Sequence, residues 1–235
     1  MFLCFSLKCL QGFVPINKKD GIKMKKSRKE LFASLCFLTA LVVWTLLVKL
    51  YDVQAIGPNG SKVGLANING FVHKLFGVNM TLYTVTDWLG FVPLFIAFGF
   101  GIFGLVQWIK RKSVFKVDAD ILVLGGFYVA VIASFLLFEK IALNYRPILI
   151  NGVLEASYPS STTLLVMCVM PTTAMQIGKR FKSSALRKIL IVSIYIFTAF
   201  MVIGRLISGV HWFSDIVGGS LTSAWLVTLY HYFTD

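Results

Sequence analysis

The sequence contains six apolar stretches of about 20 residues each, and this feature constrains the fold more than any other. A helix needs roughly 20 mostly apolar residues to cross the hydrocarbon core of a bilayer. Of the 235 residues, 57% are hydrophobic and 14% are charged, and the mean hydropathy is +0.79. The predicted transmembrane helices cover approximately residues 31–51, 84–109, 121–143, 160–178, 188–204 and 214–233. We therefore expect an all-α, polytopic membrane protein with six transmembrane helices.

The positions of the basic residues explain the net charge of +13. In a soluble protein such a charge would raise the question of a nucleic-acid partner. Here sixteen Lys and Arg residues lie in the segments 15–30, 110–120 and 179–188, and five lie in the segments on the opposite side. By the positive-inside rule the three basic segments and both termini are cytoplasmic. The expected partner is thus the lipid bilayer rather than nucleic acid, and the oligomeric state is left open.

The first 23 residues do not fit a transmembrane helix, because their apolar part is only about 14 residues long. They also lack the leading positive charge and the small-residue cleavage site of a secretory signal. An ordinary start sequence begins at Met24. We expect residues 1–23 to be an extension, disordered or outside the core, and residues 24–235 to form one membrane domain. An interfacial anchor is the alternative for the extension.

The loop 52–83 contains apolar residues at helical spacing, from Leu65 to Phe76. This pattern predicts a short interfacial helix against the outer leaflet. It would either surround a lipid substrate or pack over the bundle.

Ionisable and hydroxyl side chains gather at the predicted extracytoplasmic ends of the last four helices. The stretches are FEKIALNYRP at 138–147, SYPSSTT at 157–163, IGR at 203–205 and HWFSD at 211–215. Charged side chains in a membrane are costly, so they are usually paired or functional. Since all four stretches lie at one level, we expect the bundle to bring them together.

The side chains in these stretches are suited to binding phosphate. Arg146 and Arg205 can each bind phosphate oxygens with two N–H groups. Ser160, Ser161 and Thr162 open a predicted helix, whose first N–H groups have no partner within the helix. Taken singly, an arginine at a span end usually extends to the headgroups, and a lone histidine is usually a polar anchor.

His211 and Asp215 are spaced i, i+4, so on a helix the carboxylate can accept a hydrogen bond from one imidazole nitrogen. The other nitrogen is then free to act as a nucleophile, which implies a phosphohistidine intermediate. The sequence shows no metal-ligand spacing, and we expect neither a metal nor another cofactor.

These residues resemble the motifs of the type 2 phosphatidic acid phosphatase (PAP2) superfamily, whose membrane members have a six-helix core. The third motif of the family is Ser-Arg, five residues, His, three residues and Asp. It is matched by Gly204-Arg205, LISGV, His211, WFS and Asp215, with Gly in place of Ser. The resemblance implies that Arg205 binds phosphate, His211 is the nucleophile and Asp215 orients it.

The first family motif, Lys, six residues and Arg-Pro, is matched only in part. Arg146-Pro147 fits, but Glu139 stands at the Lys position and Lys140 follows one residue late. A shift of one residue turns a side chain by about 100° on a helix of 3.6 residues per turn. The roles of Glu139 and Lys140 are therefore left open.

The second family motif, Pro-Ser-Gly-His, reads Pro159-Ser160-Ser161-Thr162 here. The resemblance implies that the family histidine is the general acid for the leaving group, a role that Thr162 cannot take at neutral pH. General acid catalysis is typically worth about 10² to 10⁴ in rate. Lipid monophosphates need that proton most, because their leaving group is an alkoxide.

The resemblance thus predicts a membrane lipid phosphatase that prefers isoprenoid or other lipid diphosphates and acts at the extracytoplasmic face. The alternative is a catalytically weak or inactive PAP2-like protein that binds or moves lipid phosphates. A structural membrane protein with a vestigial site is a third hypothesis.

The predicted topology can be tested by cysteine labelling from outside intact cells. In a background without the native cysteines, Lys62→Cys should react with an impermeant maleimide and Ser113→Cys should not, because the two lie on opposite sides. Equal labelling of both sites would contradict the topology.

Overall fold

The computed structural model describes the backbone of residues 18–234 and the side chains of residues 28–234, and this part of the chain is mainly helical. The helices are α1 Lys18–Leu50, α2 Ala66–Phe76, α3 Met80–Leu89, α4 Phe91–Arg111, α5 Ala119–Ile141, α6 Ser161–Arg180, α7 Ser184–Ile207 and α8 Phe213–Thr234. Short 3-10 turns occur at Pro58–Gly60 and Val114–Lys116. Three residue pairs form isolated β-bridges, and the described residues contain no longer strand. The all-α prediction is confirmed for this part of the chain.

Every predicted span coincides with a long helix, the second one with α3 and α4 together. Four segments of the described chain are long and apolar enough to cross a membrane: Arg28–Leu50, Met80–Arg111, Ala119–Ile141 and Ser184–Ile207. The helices α6 and α8 are less apolar because they contain buried hydroxyl side chains. Thr172 and Thr222, for example, donate hydrogen bonds of 2.9 and 2.8 Å to carbonyl oxygens of their own helices.

The helices α6 and α8 lie at the centre of the bundle. Helix α8 packs against α1, α5, α6 and α7, and α6 also packs against α4, α5 and α7. The surrounding helices expose large apolar side chains, such as Phe95, Phe98, Val129 and Ile196. Such a surface suits contact with lipid.

The predicted short helix in the outer loop is confirmed as α2. Its apolar side chains Ile68, Phe71 and Leu75 are exposed, whereas Asn69 is completely buried against the bundle. Helix α2 therefore packs on the N-terminal end of α8 through a polar side chain, and its position at the membrane interface stays a prediction.

Most of the predicted extension, residues 1–17, lies outside the described residues. Helix α1 begins at Lys18, so residues 18–23 belong to this helix. The division of the chain at Met24 stays a prediction.

Gly218 permits the close packing of α8 on the loop that precedes α6. A Cβ atom at Gly218 would lie 2.5 Å from Cε2 of Tyr158. Tyr158 is itself buried, and its hydroxyl lies 2.8 Å from Oγ1 of Thr45 on α1. The contact thus connects α8, the loop and α1.

Gly218→Ala should lower the thermal stability of the protein in detergent, because the added methyl group displaces Tyr158. Overpacking of this kind typically costs about 1–3 kcal/mol. Gly126→Ala on α5 is the matched control, since a Cβ there meets open space and alanine favours a helix. The two variants should differ in melting temperature, and equal stability of both would contradict the packing argument.

Candidate active site

The loop between α5 and α6 forms a short hairpin that carries Arg146. Its turn is Asn151-Gly152, with φ angles of 51° and 77°, as a two-residue hairpin turn requires. The backbone N–H of Arg146 donates a 3.0 Å hydrogen bond to the carbonyl of Glu155. The same two residues form an ion pair, with 2.9 Å between Nε of Arg146 and Oε2 of Glu155. Sequence reasoning missed Glu155, although the Asn-Gly pair is a hairpin signal.

The three hydroxyl residues at the start of α6 have different environments. Ser160 is buried, and its Oγ caps the helix by accepting hydrogen bonds from Thr163. Ser161 is half-buried and lines a cavity. Thr162 accepts a 2.6 Å hydrogen bond from Nη2 of Arg205. Ser161 and Thr162 also line a second, apolar space.

Arg205 lies in the last turn of α7 and is 2% exposed. Besides Thr162, its Nη2 contacts Oδ1 of Asp87 at 2.8 Å. Its Nε and Nη1 atoms are buried and have no hydrogen-bond partner in the described part of the chain. These nitrogens carry three N–H groups, which can donate hydrogen bonds to phosphate oxygens.

His211 and Asp215 meet at the start of α8 rather than within a helix. Helix α8 begins at Phe213, so His211 precedes it, and the predicted helical i, i+4 geometry is wrong for this pair. Asp215 instead accepts a 3.0 Å hydrogen bond from the backbone N–H of Trp212, as in a capping box. Its Oδ2 lies 3.6 Å from Nδ1 of His211. The other ring nitrogen, Nε2, lies 3.2 Å from Nη1 of Arg146.

Burial lowers the pKa of His211 to about 4. The nearby carboxylate of Asp215 opposes this shift, whereas the charges of Arg146 and Arg205 add to it. Both arginines therefore lie close enough to act on His211. At neutral pH the imidazole is uncharged, which is the state that a nucleophile needs.

A buried polar network holds Asp215 in place. Nδ2 of Asn144 lies 3.4 Å from Oδ1 of Asp215 and 3.2 Å from Oγ of Ser214. From α2, Oδ1 of Asn69 accepts a 3.0 Å hydrogen bond from the backbone N–H of Ser214. These side chains are completely buried. No spacing in the sequence indicates Asn69 or distinguishes Asn144 within its stretch.

Arg146 and His211 face a polar cavity of about 440 Å³. Glu139 and Glu155 line the same cavity. Lys140 is exposed and is not among the lining residues. The cavity thus combines one catalytic candidate and one arginine with two carboxylates.

An apolar cleft of about 350 Å³ lies beside the polar cavity. It is lined by residues of α4, α5 and α6, such as Leu94 and Ile132, and Asp87 of α3 lies at its edge. Phe135 and Ser161 line both spaces. A ligand with a polar head and an apolar tail would fit this arrangement.

Comparison with known proteins gives one family model and one similar fold. The family model of the PAP2 superfamily matches residues 124–235, which include all the predicted site residues. Over these residues the chain is similar to the PAP2 superfamily. A comparison with curated protein sequences gives no match.

The fold is similar to a crystal structure described as that of the first transmembrane PAP2 type phosphatidylglycerolphosphate phosphatase from Bacillus subtilis. The TM-score is 0.58 and the sequence identity is 19%, and the match covers 85% of this chain and 94% of that chain. The protein therefore has the PAP2 membrane fold and is a multi-pass membrane protein.

The lowered pKa of His211 predicts a loss of stability in acid. Between pH 6.5 and 4 an unfolded histidine binds a proton that the buried imidazole does not, so the free energy of unfolding falls as the pH falls. From pH 7 to pH 5 this amounts to about 2 kcal/mol. His211→Asn should therefore lose less thermal stability than the parent over that range, measured in one detergent. The parent and His211→Asn have all other titrating groups in common. An equal loss of thermal stability in the two proteins would therefore contradict the prediction.

Proposed function

We propose that this protein is a membrane lipid phosphatase that forms a phosphohistidine on His211 and prefers isoprenoid or other lipid diphosphates. The observation that carries the proposal is the buried, uncharged imidazole of His211 between Asp215 and Arg146. One ring nitrogen faces a carboxylate and the other faces an arginine at the wall of a cavity. This arrangement suits nucleophilic attack on a bound phosphoryl group.

The apolar cleft beside the polar cavity supports a lipid as the substrate. The phosphate would bind in the polar cavity, and the hydrocarbon chain would leave through the cleft toward the surrounding lipid. The size of the cleft, about 350 Å³, accommodates part of such a chain.

In the first step Nε2 of His211 attacks phosphorus, and the bond from phosphorus to the leaving oxygen breaks. In the structure Nη1 of Arg146 lies 3.2 Å from Nε2. When substrate binds, a phosphate oxygen must accept the hydrogen bond of this N–H group, so that Nε2 becomes free to attack. The attack gives an imidazolium that keeps its proton on Nδ1, where the Asp215 carboxylate stabilises it. Arg146 and Arg205 offset the charge on the phosphoryl oxygens.

In the second step water attacks the phosphohistidine, and the bond between phosphorus and Nε2 breaks. The water oxygen remains on phosphorus, both of its protons leave with inorganic phosphate or pass to solvent, and His211 returns to its neutral form. The two protons of the water are accounted for in this way without another base among the motif residues.

The preference for diphosphates rests on Thr162. Its hydroxyl oxygen accepts a hydrogen bond from Arg205, and an alcohol is too weak an acid to serve as a general acid at neutral pH. When His211 attacks the terminal phosphorus of a lipid diphosphate, the leaving group is the lipid monophosphate, which is a weaker base than an alkoxide and leaves without that proton.

We also propose that all six long helical segments cross the bilayer, with α3 and α4 acting as one segment. The charge distribution then supports cytoplasmic termini and an extracytoplasmic site. The buried hydroxyl groups of α6 and α8 are compatible with spanning, because the other helices separate them from lipid.

A protein that only binds or moves lipid phosphates is the second candidate. The ion pairs of Arg146 with Glu155 and of Arg205 with Asp87 favour it, because they reduce the positive charge available to a phosphate. The two candidates differ in whether phosphate is released.

The proposed function can be tested with purified protein in detergent and two substrates, undecaprenyl diphosphate and phosphatidic acid. We expect phosphate release from both, faster from the diphosphate. His211→Ala should abolish release, and His231→Ala, near the other end of α8, is the matched control. Binding of both lipids without release would replace the phosphatase by the binding protein.

Thr162→His should raise the turnover of phosphatidic acid relative to that of undecaprenyl diphosphate by about tenfold or more, because the imidazole can protonate the alkoxide. Ser161→Gly combined with Thr162→His gives the imidazole the space that the family motif has. The ratio of the two kcat values is the measurement, since it is insensitive to a general loss of activity. An unchanged ratio in both variants would contradict the role of position 162.

A further inference from the structure

The hydrogen bonds of Arg205 divide its guanidinium into a held side and an open side. Nη2 carries two N–H bonds, and it contacts two acceptors, Oδ1 of Asp87 and Oγ1 of Thr162. Nε and Nη1 are buried, with no acceptor in the described part of the chain. Protein groups therefore hold one nitrogen, and the other two present a planar pair of donors to a ligand.

Helix α3 supplies a second contact to the same guanidinium. Cζ of Arg205 lies 5.0 Å from the centre of the Tyr83 ring, one helical turn before Asp87. The start of α3 is also fixed to the end of α7, because the backbone N–H of Asn79 donates a 3.0 Å hydrogen bond to the carbonyl of Ser208. The orientation of Arg205 is thus set by α3.

The Gly204 departure from the family motif explains how α3 approaches so closely. A Cβ atom at Gly204 would lie 2.8 Å from Cγ2 of Thr86. Real Cβ atoms essentially never show such a contact, and Thr86 is itself completely buried. Any larger residue at position 204 would push α3 away and move Asp87 from Arg205.

We propose that Asp87 is a positioning residue for Arg205, that Gly204 allows it to approach, and that Thr162 completes the support. The carboxylate and the Thr162 hydroxyl hold Nη2, so that Nε and Nη1 bind two oxygens of the substrate phosphate. This inference rests on the proposed function of the same site. Both departures from the family motifs then serve Arg205. Thr162 accepts one of its N–H groups, and Gly204 lets Asp87 of α3 approach it.

The first test compares Asp87→Leu with Asp87→Asn. Leucine removes the acceptor, and kcat/KM for undecaprenyl diphosphate should fall by about 10²-fold, as expected when a binding group shifts by about 1 Å. Asparagine keeps an oxygen acceptor and should lose only a few fold. Asp120→Asn is the control, because it breaks a 2.9 Å ion pair with Arg180 at the other end of the bundle. It should leave kcat/KM unchanged.

The second test uses the contact between positions 204 and 86. Gly204→Ala should lower kcat/KM by about tenfold or more, because the methyl group separates α3 from α7. Thr86→Ser removes Cγ2 and keeps the hydroxyl that bonds within α3. Adding it to Gly204→Ala should restore most of the lost activity, a rescue that general destabilisation would not give.

The binding of inorganic phosphate, followed as the rise in melting temperature that it causes, separates this inference from the proposed function. If the parent binds phosphate without hydrolysing lipid, the proposed function fails. The proposed role of Asp87 in orienting Arg205 then still predicts that Asp87→Leu binds phosphate more weakly than Asp87→Asn.

Three results would overturn the inference. The first is that Asp87→Leu has the same kcat/KM or the same affinity for phosphate as the parent. The second is that Thr86→Ser does not restore the activity of Gly204→Ala. The third is that Asp87→Asn loses activity toward phosphatidic acid only. The last result would make Asp87 a proton donor rather than a positioning residue. A parent that neither binds phosphate nor hydrolyses lipid overturns both this inference and the proposed function.

Discussion

Asp215 is completely buried at the start of α8, so both of its carboxylate oxygens need partners inside the protein. Oδ2 accepts from the backbone of Trp212 and faces His211, and Oδ1 lies near Asn144. The backbone carbonyl of Asp215 accepts a 3.0 Å hydrogen bond from the N–H of Ser160. One residue thus fixes the start of α6, the start of α8 and the imidazole. The remaining site residues are arranged around this fixed carboxylate.

Two ion pairs determine the electrostatics of the site. Arg146 pairs with Glu155 at 2.9 Å, and Arg205 pairs with Asp87 at 2.8 Å. A buried guanidinium without a partner would cost several kcal/mol, so these carboxylates stabilise the arginines before substrate binds. They also reduce the net positive charge that an incoming phosphate meets. Both carboxylates come from outside the family motifs, from the hairpin and from α3.

The sequence predicted the helices well, because the length of an apolar run and the positions of basic residues act locally. It also marked Arg146, Arg205, His211 and Asp215, since their types and spacings resemble a known motif. In the structure His211 contacts Arg146 and faces Asp215, whereas Arg205 is held separately by Asp87 and Thr162. The partners Glu155, Asp87, Asn144 and Asn69 were missed. The helical i, i+4 geometry of His211 and Asp215 was wrong, because the chain turns into α8 only after His211.

The apolar runs predict an all-α membrane protein, and the residue types indicate which side chains are candidates for binding phosphate. These conclusions follow from local composition and from the chemistry of single residues. Only the tertiary structure decided which acceptors hold each arginine, and that Ser160 caps a helix while Ser161 faces the cavity. It also related Gly204 to Thr86 across two helices. Arg205, for example, lies 43 positions from Thr162 and 118 positions from Asp87, and no spacing in the sequence encodes these contacts. They are fixed by how closely two helices pack.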